Sequence, residues 1–353
     1  MISHTITDRD AGSRFNKYLE RLLPNANSGF LYKMLRKKNI TLNGKKAEGR
    51  ETLKAGDTVE IFFSDETYAA FRKAESTEPV SYSAHPIKKS DIVYRDDSVL
   101  IACKPSGILS QKDTPESDSF NEMVLQYLLN EGIVNPASLG EYKPGICNRL
   151  DRNTAGLVMF GLTLPAGREL NRLLKERKIG KYYYAVVLGE MKKPIDSRLF
   201  LAKDTAANQV SITEQKQNEE SVSVHTEIIP VCSGKELSLV RVILHTGKSH
   251  QIRSVLSYLG HPVLGDPKYI SSDSPFASLN QKYRVRYHLH AQMLLAYALR
   301  FPEGLSGEVE KVRGKTFYAP LPKPFAEVIT SEFTKGADPD AVMEIPGTPG
   351  IVL

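Results

Sequence analysis

Residues 64–90, SDETYAAFRKAESTEPVSYSAHPIKKS, are mostly polar and carry no apolar periodicity. The chain on either side does carry it, so the pattern predicts two folded units joined by a linker. The expected boundaries are a domain at 1–64, a linker at 65–90 and a larger domain at 91–353. A length of 353 residues agrees, since one domain commonly takes roughly 150. Charge divides the same way. The first 64 residues hold twelve Lys/Arg against seven Asp/Glu, which accounts for five of the net six positive charges. A small basic unit therefore precedes a nearly neutral body.

Within the basic unit, Phe15, Tyr18, Leu19, Leu22 and Leu23 recur at helical spacing on one face, and Pro24 ends the helix. Ser28 reads as the N-cap of a second helix that turns Leu31, Met34 and Leu35 inward and displays Lys33, Arg36, Lys37 and Lys38. Ile40-Thr41-Leu42, the turn pair Asn43-Gly44 and Lys45-Lys46 then predict a tight hairpin, with a further strand at Val59–Phe63. Two short helices, a small sheet and a basic helix suit a grip on a phosphate backbone. Residues 12–63 resemble the S4 RNA-binding module in this pattern.

Three clusters in the body could carry chemistry. In Cys147-Asn148-Arg149-Leu150-Asp151-Arg152-Asn153-Thr154-Ala155-Gly156 a carboxylate stands between two arginines, just before the apolar strand Leu157–Phe160. Nearby cations favour the ionised carboxylate, which suits a nucleophile or base better than an acid. A structural ion pair would look the same on spacing alone. In Lys181–Gly189, period-two alternation puts Tyr183, Ala185 and Val187 on one face and Tyr182, Tyr184, Val186 and Leu188 on the other. A tyrosine there could stack on a base, or could simply be core. The third cluster is Thr246-Gly247-Lys248-Ser249-His250-Gln251-Ile252-Arg253, followed by Val255, Leu256 and Leu259 at helical spacing and Gly260 as a stop. Cations at a helix N-terminus need an anionic partner, either a phosphate or a carboxylate.

Other features exclude rather than assign. There is no apolar run of 18 residues, and MISHTITDRD lacks the apolar core of a signal peptide. Cys103, Cys147 and Cys232 are three and widely spaced, with no CxxC, so reduced thiols in a cytoplasmic protein are expected. Phosphate-loop, dinucleotide, zinc-protease, serine-hydrolase and zinc-deaminase signatures are missing, so no cofactor and no metal is expected.

Taken in order, the clusters resemble the RluA-type family of pseudouridine synthases. The family's His-Arg-Leu-Asp-x-x-Thr-Ser-Gly motif corresponds to Asn148–Gly156, with Asn148 in place of His and Ala155 in place of Ser. Lys181-x-Tyr183-x-Ala185-x-Val187-x-Gly189, Thr246–Arg253 and Gly260-x-Pro262-x-x-Gly265-Asp266-x-x-Tyr269 also follow the family pattern. Leu289-His290-Ala291 and Phe317-x-Ala319-Pro320-Leu321-Pro322 complete it, so the likeness spans about residues 92–325. With the S4-like unit, the chain is most similar to the RluC/RluD group acting on large-subunit ribosomal RNA.

The resemblance implies an α+β catalytic domain with a long mixed, mostly antiparallel sheet and a central cleft. It also implies a reaction on a flipped-out uridine, because C1′ and C5 cannot be worked on inside a stack. Asp151 would be the catalytic carboxylate, as nucleophile at C1′ or base at C2′. Arg253 would pair with it, Tyr183 would stack on the uracil, and Arg149 would fill the space left by the nucleotide. Leu289 would line the pocket. Lys33, Arg36, Lys37 and Lys38 would bind RNA. A structured ribosomal RNA stem-loop is the expected partner of a monomer, with no membrane involved. Transfer RNA is the alternative substrate.

Two rivals belong to other classes. A glycoside hydrolase needs two carboxylates about 5–9.5 Å apart, whereas Asp266 in Gly-Asp-Pro reads as a turn residue. A non-catalytic RNA-binding or ribosome-assembly protein would not require Asp151, Tyr183 and Arg253 together.

Overall fold

The computed structural model describes residues 1–7, 10–72, 81–114, 116–204 and 209–333. The expected domain end at 334–353 and the middle of the expected linker, 73–80, lie outside them.

The N-terminal unit comprises β1 (Ile2–Thr5), α1 (Phe15–Leu22), α2 (Ser28–Arg36), β2 (Ile40–Leu42), β3 (Lys45–Lys46), β4 (Thr58–Ile61) and α3 (Asp65–Phe71). Its strands pair antiparallel in the order β1-β4-β2-β3. Phe15, Leu19, Leu35, Ile40, Val59 and Ile61 are sealed in a core separate from that of the body. Asn43 at φ 51° and Gly44 at φ 70° make the hairpin turn, as a two-residue loop of this hand requires.

Two expectations need correction here. The cap of α2 is Asn27, not Ser28: Asn27 is extended and its side chain accepts from Phe30 N at 2.8 Å, while Ser28 already lies within the helix. The polar stretch also opens with a helix. Ser64 accepts from Thr67 N to cap α3, and Tyr68 and Phe71 pack on the N-terminal core. One buried aromatic per turn supports a single short helix, too little to register as periodicity.

The body continues with β5 (Ile92–Arg95), β6 (Val99–Lys104), α4 (Phe120–Asn130), α5 (Pro136–Glu141), β7 (Gly145–Ile146), β8 (Ala155–Gly161), α6 (Leu164–Lys175) and β9 (Gly180–Leu188). Then come β10 (Ile195–Asp204), β11 (Gln209–Thr213), β12 (Val222–Ser233), β13 (Leu237–Leu244), α7 (Gln251–Tyr258), α8 (Ala277–Arg286), β14 (Leu294–Arg300), β15 (Thr316–Tyr318) and α9 (Lys323–Glu332). Among the described residues they build one sheet in the order β11-β10-β12-β13-β9-β14-β8-β6-β5, with β15 on β14 and β7 on β8. Every pairing is antiparallel except β14 with β8. The sheet is thus long, mixed and mostly antiparallel, as expected.

The single parallel pairing needs a glycine. Gly156 sits at φ 125°, and a Cβ there would overlap the Ala296 carbonyl of β14. No helix among the described residues is long and apolar enough to cross a membrane.

The sheet has two distinct faces in its long half. Tyr183 pairs with Val242 and Tyr182 with Ile243, so alternation sends neighbours in sequence to opposite sides. Lys181, Tyr183 and Leu244 turn towards α7, whereas Tyr182, Ile243, His225 and Glu227 turn away from it.

Candidate active site

Asp151 lies in the loop that leads into β8, and that loop is pinned from three directions. Ser110 Oγ donates to Leu150 O at 2.7 Å and accepts from Leu150 N at 3.0 Å, with Leu150 buried. Lys104, fully buried at the end of β6, donates from Nζ to the carbonyls of Pro105, Ile108 and Arg152 at 2.8–3.0 Å. Burial pulls the Lys104 ammonium down to about 8, with the nearby Asp151 charge opposing that pull. Thr154 N donates to Asp151 O at 3.0 Å, closing the turn. Asn148, where the resembled motif has His, bridges to β8: its Nδ2 donates to Leu157 O and its Oδ1 accepts from Met159 N.

Opposite this loop stands Arg253 in the first turn of α7. Its Nη1 donates to Asp151 Oδ2 at 3.0 Å, while Nε and Nη2 fork onto the two oxygens of Asp266 at 2.6 and 2.9 Å. Only 5% of the Arg253 side chain and none of Asp266 meets solvent, against 25% of Asp151. Burial works against the Arg253 charge, but the two carboxylates outweigh it and raise its affinity for the proton. The guanidinium is therefore fixed by Asp266 on the buried side and offers its remaining edge to Asp151. Helix α7 is held in turn by buried Gln251, which accepts from Lys248 N and donates to His225 O and Thr226 Oγ1.

Tyr183, on β9, faces the same space. Burial and the Asp151 charge both push its hydroxyl well above the ordinary tyrosine value, so the phenol stays neutral. His250 sits at φ 57° just before α7, with its Nδ1 3.1 Å from Tyr269 OH. Burial lowers the His250 imidazole, Asp151 opposing and Arg253 reinforcing the shift. Asp151, Tyr183 and Arg253 line one cleft of about 1050 Å³ together with Arg149, Lys181 and Lys248. A carboxylate held by a buried arginine, an aromatic ring and several cations share one cleft, whose wall also carries Asp113 and Glu220, an arrangement that suits a polyanionic substrate with a ring to be stacked.

Comparison with known proteins agrees with this geometry. The sequence model of the RNA pseudouridylate synthase family matches residues 98–258, which include Asp151, Tyr183 and Arg253. Ribosomal large subunit pseudouridine synthase C of Rickettsia bellii is 31% identical over 268 residues, covering 73% of this chain and 82% of that protein. The chain belongs to the RNA pseudouridine synthase family. Ribosomal large subunit pseudouridine synthase D of Haemophilus influenzae is 27% identical over 332 residues and is covered to 94%, as is this chain. The fold is shared with Human RNA Pseudouridylate Synthase Domain Containing 4, at a TM-score of 0.52 and 19% identity over 68% of this chain and 92% of that one.

A pseudouridine synthase is an isomerase: it breaks the uridine N1–C1′ bond, turns the base and rejoins it through C5. The residues read from sequence divide in this light. Asp151, Tyr183, Arg253 and Arg149 share the cleft. The carboxylate does not pair with its neighbours in sequence, since Arg149 is exposed with no ion pair among the described residues and Arg152 reaches Asp113 at 3.8 Å.

Leu289 does not line the cleft. It closes the end of α8 through Leu289 N to Arg284 O and turns into the core, and Leu294 takes a place in the cleft wall instead. Asp266 does hold a turn, accepting from Lys268 N and Tyr269 N, but the sequence reading missed its fork to Arg253. Its position in a motif beside the Arg253 helix was the available signal. Lys33, Arg36, Lys37 and Lys38 stand exposed on and just beyond α2, in the separate N-terminal unit.

Proposed function

We propose that this pseudouridine synthase modifies uridines of large-subunit ribosomal RNA, presented in a stem-loop, with Asp151 as the catalytic carboxylate. The observation that carries the reading is the 3.0 Å contact between Asp151 Oδ2 and Arg253 Nη1 at the floor of a cation-lined cleft. That contact fixes the orientation of a carboxylate that can act on an electrophilic sugar carbon or on its C2′ proton. Arg253 positions the carboxylate; Tyr183, neutral and beside it, stacks on the uracil. Arg149, exposed on the cleft lining and without an ion pair among the described residues, takes the space vacated by the flipped nucleotide. The large-subunit names of the similar Rickettsia bellii and Haemophilus influenzae proteins support the substrate class.

The N-terminal unit is the RNA grip in this reading. Its α1–α2 pair and hairpin sheet, with α3 added at the end, resemble the S4 module. Lys33, Arg36, Lys37 and Lys38 are exposed without a carboxylate partner among the described residues, which leaves them available to phosphates. Pseudouridine mapping of total RNA at single-nucleotide resolution, with and without the gene, tests the assignment. Loss at one or a few large-subunit uridines is expected. Loss confined to transfer RNA overturns the substrate, and no loss despite expressed protein overturns the function.

A further inference from the structure

On the sheet face turned away from the cleft, three neighbouring strands bring four metal-ligating side chains together. His225 and Glu227 come from β12, His245 from the residue after β13, and Asp196 from β10. Asp196 lies directly opposite Glu227 in the β10–β12 register, and Thr226 opposite Leu244 puts the two histidines side by side. The imidazoles stack with centroids 4.0 Å apart and planes within 13°. His225 Nε2 lies 2.6 Å from Asp196 Oδ1, and His245 Nε2 lies 2.6 Å from Glu227 Oε1. One ligand atom from each of His225, Glu227 and His245 falls within 4.8 Å of the others.

We propose that His225, Glu227 and His245 bind one zinc-class divalent ion, with Asp196 as the fourth ligand. With neutral rings the four side chains carry two negative charges, the complement of one divalent cation. Two imidazoles with carboxylate oxygens form a donor set that suits zinc. Zinc holds such atoms at about 2.0–2.2 Å, which sets ligand atoms roughly 3.3 Å apart in a tetrahedral site. The strands align the four residues on one face, and metal binding would require the side chains to turn from their present His–carboxylate pairs towards a common centre.

The backbone around it is firmly held. His225 N donates to Thr246 Oγ1 at 3.0 Å, and Gln251 Nε2 donates to His225 O at 3.2 Å. The side chains of His225 and Glu227 are 19% and 36% exposed, so an ion from solvent reaches them. The site clamps β10, β12 and β13 and stands apart from Asp151, so its role is structural rather than chemical.

The test uses full-length, untagged protein stripped with a chelator and titrated with Zn²⁺ against a chromophoric competitor. The expected result is one tightly held zinc per chain, with affinity reduced at least tenfold in Glu227→Gln and more in the His225→Ala/His245→Ala double variant. Zn²⁺ should raise the melting temperature of the wild type more than that of Glu227→Gln at the same concentration. This arm retains its meaning if the double variant fails to fold. Co²⁺ should give the visible absorption of a nitrogen- and oxygen-ligated tetrahedral or five-coordinate site in the wild type alone. Equal zinc affinity in wild type and Glu227→Gln, or a wild type that holds no zinc against the competitor, overturns the proposal.

Discussion

The protein carries two populations of cations that behave as opposites. In the N-terminal unit, Lys33, Arg36, Lys37 and Lys38 project into solvent from α2 and its C-terminal end. In the cleft, Arg253 is buried, bound by three hydrogen bonds and shared between two carboxylates. Exposed charges act through a screened field that adds across residues. Buried ones act through geometry, because Nε, Nη1 and Nη2 of Arg253 are each tied to a carboxylate oxygen in a fixed direction. The first group should therefore govern how tightly RNA is held and how salt affects it, and the second how fast bound RNA reacts.

The largest expected effect breaks the cleft side of this contrast. Asp151→Asn keeps the side chain's shape and one acceptor for Arg253 Nη1 while removing its charge and nucleophilicity. Turnover should fall below detection in a pseudouridine assay, with RNA affinity within a few fold of wild type by filter binding. Substantial remaining turnover would remove Asp151 from its assigned role.

A sharper probe keeps the charge and changes only its geometry. Arg253→Lys retains a cation, but a single ammonium cannot fork onto Asp266 and also reach Asp151. Losing a charge-assisted hydrogen bond worth about 1.5–3 kcal/mol lowers kcat about 10–100-fold. KM should hardly change if the exposed cations hold the RNA as proposed. Equal activity in Arg253→Lys would mean that Arg253 contributes charge alone, and the two populations would no longer differ in kind.

These two residues also mark how far the sequence could be read. Period-two alternation in Lys181–Leu188 and the helical spacing after Gln251 placed Tyr183 and Arg253 on their elements, and the structure agrees. Both signals are local, set by backbone periodicity and capping. What periodicity and spacing alone could not give was long-range. Arg149 and Arg152 flank Asp151 in sequence, and its pairing with Arg253, delivered by α7 on the cleft face of the sheet, was legible only through the family resemblance, which the structure bears out. Asp266 was legible as a turn residue because turn chemistry is local, while its fork to Arg253 depends on how that turn packs beneath α7. Leu289 shows the same limit, since a motif position does not say which side of a helix end faces the cleft. The helix α3 was hidden for a different reason: it is a short element whose stability comes from two aromatic contacts with a core already formed.

The smallest expected effect on chemistry comes from the exposed group, and it completes the contrast. Replacing Lys33, Arg36, Lys37 and Lys38 together by Gln removes up to four phosphate contacts without touching the packed face of α2, where Leu31, Met34 and Leu35 are buried. Each lost contact should flatten the slope of log affinity against log salt by about 0.7–0.9, so loss of all four flattens it by about 2.8–3.6. At saturating RNA, kcat should match the wild type. Changing the three lysines to Arg instead should leave the slope intact, because a solvated contact needs the charge and not a fixed fork. An unchanged slope in the Gln variant would move the RNA grip away from α2. A fall in kcat at saturation would show that this unit also helps to place the uridine over Asp151, and so join the two populations that the structure keeps apart.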